Sequence, residues 1–262
     1  MSEPTGQIIK GKLHGSGLLL SVFLLLSAGI CLADETTPAT GAETAHYPPD
    51  EIGEPDDGRM KEKPRIEDLG EGKYRIGAIR IDKAQHLISV PGIMLPYEDG
   101  KAIEFMATTK QGYKSYESVL MLEANAFEFN LACILIGLDP KRAVLPAYHF
   151  DPQPVQGDAL SIRVGWNKHG QWVEHDVVEL LRIGKSKPVI PSGWSYTGSV
   201  FTEDNRYLAQ MDGVLIGLVH DPASIIEHRE GLGLGNWGSI NIDAGLAPTG
   251  GQEVNVKLQR VE

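Results

Sequence analysis

The sequence predicts a single α+β domain: a mainly antiparallel β-sheet built from hairpins, with one buried central helix at about 126–136 and one short helix at about 222–228. Three observations point there. Beyond residue 64 most segments are short runs of β-branched and aliphatic residues. Tight-turn signals such as "NKHG" and "MDG" separate several of them. Helix start signals stand before an apolar run in two places, at Asn125 and at Asp221.

Residues 1–33 precede that domain and read as an export signal. Lys10, Lys12 and His14 form a basic start, and Gly17 to Ile30 is a fourteen-residue uncharged apolar run. Cys31 and Ala33 put small residues before a cut at Asp34. The run is shorter than the ~20 residues of a bilayer span. The expectation is a cleaved signal and a periplasmic or extracellular protein, attached to membrane only if this segment is retained. Residues 34–64 follow with five prolines and nine carboxylates. With few large apolar side chains, such a stretch cannot offset the entropy of ordering and is expected to be a disordered tether. The folded domain then spans 65–262, a length that suits one core.

Within the domain, "KYRIGAIRID", "HLISVPGIML" and "IEFMAT" read as strands. "ANAFEFNLACILIGLDP" is the first helix. Asn125 is its N-cap with Glu128 three residues on, a capping-box arrangement, and Gly137 and Pro140 end it. Apolar residues cover most of its circumference, so it is expected to be central and buried. "ALSIRVGW" and "QWVEHDVVELL" flank "NKHG" as a hairpin, and "RYLAQ" and "VLIGLVH" flank a turn at Asp212–Gly213. "HDPASIIEH" is the short helix, with Asp221 as N-cap and Pro222 at its first position. "GSINIDA" and "EVNVKLQRV" close the chain as strands.

Charge excludes one class of partner. The chain carries −11, and removal of residues 1–33 leaves 22 basic and 34 acidic residues, or −12. No basic stripe interrupts this field, so nucleic acid is not an expected partner. Cleavage would leave Cys133 as the one cysteine, in an apolar setting that keeps a thiol inert.

The motif search yields no expected cofactor or metal. Gly233, Gly235 and Gly238 are spaced G-x-G-x-x-G, but a dinucleotide loop needs a strand before it and a helix after it. Here a strand-like segment, "SINIDAG", follows, and the stretch reads as a turn that lets Trp237 tuck against the sheet. His169 and His175 lie six residues apart, His149 and Asp151 share a loop, and His220 and His228 flank the short helix. None has the spacing of a zinc site. No catalytic residue is assigned.

Two clusters stand out as binding candidates. In "KSYESV", Tyr116, Glu117 and Ser118 put a serine beside a carboxylate, although adjacent strand residues face opposite sides. In "GWSYTGSVF", Trp194, Tyr196, Thr197 and Ser199 combine aromatic faces with hydroxyls. Period two puts Trp194 and Tyr196 on one face and Thr197 and Ser199 on the other. The structural alternative makes Trp194 a core anchor and 197–199 a turn.

"KSYESV", "ACILIGLDP", "GWSYTGS" and "RYLAQMDGVLIGLVHDPASII" occur in an order that resembles the YdjY-like domain family, from about Gly77 to Ile226. The resemblance implies an exported bacterial cell-envelope domain and supplies no reaction. In the family pattern a histidine often precedes the Glu–Ser pair; Tyr116 stands there in this chain. Some relatives appear beside iron–sulfur ferredoxin segments, whereas a single mature cysteine cannot by itself hold a four-cysteine cluster. The expected function is an exported, non-catalytic binding or interaction module for an envelope protein, peptide or glycan, through 116–118 and 194–199. The alternative is a hydrolase-like enzyme with Glu117 as general acid or base and Ser118 or Ser199 as helper.

Overall fold

The computed structural model describes residues 53–98, 101–184, 187–188, 193–233 and 238–261. In chain order their strands are β1 (Ile66–Gly70), β2 (Lys73–Ile76), β3 (Ile79–Asp82), β4 (Leu87–Met94), β5 (Phe105–Thr109), β6 (Ser118–Leu122), β7 (Asp158–Lys168) and β8 (Gln171–Asp176). There follow β9 (Leu181–Ile183), β10 (Lys187–Pro188), β11 (Trp194–Tyr196), β12 (Val214–Gly217), β13 (Ile226–His228), β14 (Ile240–Ile242) and β15 (Glu253–Arg260). The α-helices are α1 (Ala126–Leu135) and α2 (Leu208–Asp212).

Eight strands close into a barrel in the order β4-β15-β7-β11-β13-β12-β5-β6, with β6 returning to β4. The junctions β5–β6 and β12–β13 are parallel and the other six antiparallel. The expected α+β sheet with a central helix is therefore overturned: the domain is mostly β, and its centre is the barrel interior. β3 and β6 share one edge of β4, β3 taking residues 87–89 and β6 taking 92–94. Pro91, which has no N–H for a ladder, falls between them. β1 and β2 extend the sheet beyond β3, β8 pairs outside β7, and β10-β9-β14 form a separate small sheet.

Burial distinguishes two sides of the barrel. Along β4, Ile88, Val90, Gly92 and Met94 are buried and their neighbours are half-exposed, an alternation continued on β15 by Val254, Val256 and Leu258. Those residues fill the interior and their neighbours meet solvent. On β5, β6, β11, β12 and β13 every residue is buried. Both faces are covered there, because each parallel junction needs a crossover: 110–117 joins β5 to β6, and 218–225 joins β12 to β13. At eight residues each they are shorter than the dozen or more usual for parallel strands, and lie close against the sheet.

α1 has the expected capping box: Asn125 Oδ1 accepts from the Glu128 N–H at 2.9 Å, and Glu128 accepts from the Asn125 N–H. Its placement differs from expectation. Ala126, Phe129, Ala132 and Cys133 are buried, but Ile134 is 44% exposed. The carbonyl of Ile136 meets His86, that of Gly137 accepts from Arg260, and the Asp139 N–H donates to Asp158. These partners all flank strand ends at one mouth, so the helix covers that mouth rather than running through a core.

Two further expectations are corrected. Residues 222–228 form no helix: Asp221 caps a turn through Ala223 N–H (2.8 Å), and β-branched Ile225 and Ile226 lead into β13. The bonding that starts a helix starts a turn equally well. The segment "RYLAQ" is not a strand; it enters α2, and Gly213, at φ 70°, ends that helix instead of turning a hairpin. The turn at His169–Gly170 joins β7 to β8 as expected, both residues having positive φ (53° and 84°). Residues 53–64 lie along the barrel, with the Asp56 N–H donating to Met211 O and the Tyr207 N–H to Gly58 O. The expected signal and the rest of the expected tether, 1–52, lie outside the described residues, as does Trp237. Gly233 and Gly238 precede β14, so no helix follows this glycine stretch as a dinucleotide loop requires.

Candidate functional site

Glu117 ends a single 3-10 turn, Tyr113–Glu117, within the first crossover, and Ser118 begins β6. The turn brings Lys114 back over its own end. Lys114 Nζ donates to Glu117 Oε1 at 2.8 Å, and Ser118 Oγ donates to the Lys114 carbonyl at 2.7 Å. The rings of Phe105, Tyr113 and Tyr116 lie 5.7–6.0 Å from the ammonium, within cation–π range. Burial opposes the Lys114 charge, but the hydrogen bond and negative charge of Glu117 prevail and hold it well above the usual lysine range. Burial and the Glu117 charge raise the Tyr116 phenol.

Beside this pair the loop 144–156 presents His149. Its Nε2 lies 3.2 Å from Glu104 Oε2 and its Nδ1 3.9 Å from Asp221 Oδ2, while the ring stacks on Phe150 at 4.1 Å. The Glu104 hydrogen bond, and then the Asp221 charge, lift the imidazole above its ordinary value against the effect of burial. Glu104 is 4% exposed, whereas the His149 side chain is 37% exposed. The imidazole is thus an accessible proton carrier with a buried carboxylate behind it. The field of Lys114 reaches His149, and Asp212, raised first by burial and next by Asp221, feels Lys114, His149 and Glu117. These groups form one charged rim beside the two crossovers.

The loop is held from beneath. The Phe150 N–H donates to His220 O, and the buried His220 ring meets Asp151 O at 2.7 Å. Under the second crossover lies Glu227, fully buried and paired in register with Ser195 and Gly217. Its Oε1 accepts from the Asp221 N–H at 3.4 Å, and among the described residues its Oε2 has no hydrogen-bond partner. Burial pushes its carboxyl up to about 9. His228, on the opposite face, packs edge-on against Trp194, and burial lowers its imidazole to about 4.

Only part of the expected surface lies at this rim. Tyr116, Glu117 and Ser118 are there. Trp194 and Tyr196 share the inward face of β11 with Leu160 of β7, 2% and 0% exposed, and the Tyr196 hydroxyl donates to Asn130 of α1. Thr197 Oγ1 lies 2.8 Å from Ser224 O, and Ser199 Oγ donates to Pro222 O. Among the described residues no hydrogen bond, ion pair or ring contact joins 116–118 to 194–199. Glu117 is held by Lys114, Ser118 by the Lys114 backbone and Ser199 by Pro222, so none of the three bonds to another. Glu104, Lys114, Asp212 and Asp221 were not sequence candidates, and the sequence singled out His149 only as a possible metal ligand without zinc-site spacing. A signal existed for Glu104, the lone carboxylate of the strand-like segment "IEFMAT", which in the structure stands immediately before β5. Among the described residues no three His, Cys, Asp or Glu side chains are placed to hold a metal, and no helix is long and apolar enough to cross a membrane. Cys133 is buried, which raises its thiol far above the usual range.

Fold and site together define a small closed mixed-strand barrel with a charged rim over its parallel crossovers. A family model, YdjY domain, matches residues 79–259, and the chain belongs to that family. No curated protein and no solved structure matches the chain.

Proposed function

We propose that this chain is an exported binding module and that its partner, an envelope protein or peptide, docks on the rim formed by 113–117, His149 and Asp221. The observation that carries the reading is His149, an accessible imidazole between two buried carboxylates, beside the part-buried Lys114–Glu117 pair. Both signs of charge are held in place before a partner arrives, which lowers the ordering cost of binding and favours a partner of complementary polarity. The hydrolase alternative finds less support, since the hydroxyls of Ser118 and Ser199 are each given to a backbone carbonyl.

Site-specific photo-cross-linking in cells tests this. Tyr148, 59% exposed beside His149, and Trp172, 57% exposed on the β7–β8 hairpin, are replaced one at a time by a photoreactive phenylalanine. The expected result is a discrete adduct from position 148, in the envelope fraction, that weakens with Glu104→Gln. No adduct at 148, or the same adducts at 172, would sink the proposal.

A further inference from the structure

A second concavity lies at the start of the same crossover, facing residues 53–56. It encloses about 470 Å³, within the ~300–1,000 Å³ of small-molecule sites. Three segments wall it: 53–56, 109–113 and 210–213. Backbone bonds pin them together, from the Asp56 N–H to Met211 O at 3.1 Å and from the Thr109 N–H to Gly213 O at 2.8 Å. Gly53 is seated so closely that a Cβ there would fall 1.8 Å from the Gln111 carbonyl oxygen. The cleft is therefore formed in advance.

Its charges are largely answered from within. Asp56 pairs with Lys61 at 2.9 Å and Lys110 with Glu123 at 3.0 Å. What remains for a ligand is mostly neutral and directional. Gln210 spends its Oε1 on the Ala126 N–H, so its amide N–H groups are the donors left to it. The Gln111 side-chain amide makes no hydrogen bond to the described residues, and its backbone is held at φ 57°, a conformation rare for a residue with a side chain. Tyr113, 36% exposed, adds a ring and a hydroxyl. Glu54 adds an acceptor at the edge.

Amide groups that donate and accept in one plane suit vicinal hydroxyls, and an aromatic ring suits the C–H face of a pyranose. We infer that this cleft binds a neutral saccharide of two or three units, at a site separate from the rim. The inference does not depend on the rim reading: the two sites adjoin at Tyr113, but the amides of Gln111 and Gln210 belong to the cleft alone, and the readout is sugar affinity.

The test is isothermal titration of the purified protein with maltotriose, cellotriose and N,N′-diacetylchitobiose, and with trilysine and inorganic phosphate as ionic probes. At least one sugar is expected to bind saturably and the ionic probes not to bind. Tyr113→Ala should weaken the sugar at least tenfold. Gln210→Glu, which keeps the acceptor for Ala126 and removes the donors, should do the same with an unchanged melting temperature. Trp172→Ala, at the exposed hairpin aromatic, should leave the affinity within twofold. Saturable binding by none of the three sugars overturns the inference, as does binding of ionic probes alone. Loss through Trp172→Ala, with both cleft variants intact, overturns it equally.

Discussion

Replacing Glu227 by glutamine should change how stability depends on pH above neutrality. The carboxyl has a folded-state value of about 9 against 4.5 for an ordinary glutamate. The native state binds this proton more tightly than the unfolded chain does. Its contribution is fully present below pH 4.5 and is lost as pH rises toward 9. Each pH unit in that interval costs about 1.4 kcal/mol, so the wild type loses about 3 kcal/mol by pH 7 and about 6 kcal/mol by pH 9 relative to acid. Glutamine stays neutral throughout and keeps an acceptor for the Asp221 N–H. Guanidinium unfolding of both proteins at half-unit steps from pH 5 to 9 gives the difference directly. The variant should gain on the wild type by about 1.4 kcal/mol per pH unit. Parallel stability curves over pH 6 to 9 would refute the idea that this carboxyl folds in its protonated form.

The neighbouring residue works in the opposite sense. His228 has its imidazole lowered from 6.5 to about 4, so its contribution is present above pH 6.5 and is lost as pH falls toward 4. That amounts to about 3 kcal/mol, which His228→Gln should remove from the acid limb of the same titration. Between pH 4.5 and 6.5 the two slopes oppose each other, so the wild type should be flattest there. Lys114→Met leaves the Glu117 carboxylate without its ammonium partner and should cost about 3 kcal/mol; the double variant with Glu117→Gln should recover most of it. Chemical denaturation of the two single variants and the double variant measures this recovery.

What could be read along the chain was local. The capping box of α1 uses residues three apart, the β7–β8 turn lies within two, and β4 and β15 show their alternation over eight residues each. Closure could not be read this way, because β6 meets β4 across the intervening β5 and its crossover. Nor could the fully buried strands be told apart from helical segments by periodicity. "HDPASIIEH" reads as a helix for that reason: Asp221 and Pro222 suit a helix start, and only the pairing of Ile226 with Tyr196 and Ile216 makes its end a strand.

The rim shows the same division. Tyr116, Glu117 and Ser118 could be singled out because an acid and a hydroxyl stand together in sequence. Glu104, His149 and Asp221 come from three distant segments, and the carboxylates matter only because folding sets them around one imidazole.

By itself the sequence determined the family, the acidic balance and the start of the long helix, since these depend on composition or on neighbours along the chain. Tertiary structure decided the barrel, the change of β4 partner at Pro91 and the rim. Each of those rests on pairings between residues that only a closed sheet brings within hydrogen-bonding distance.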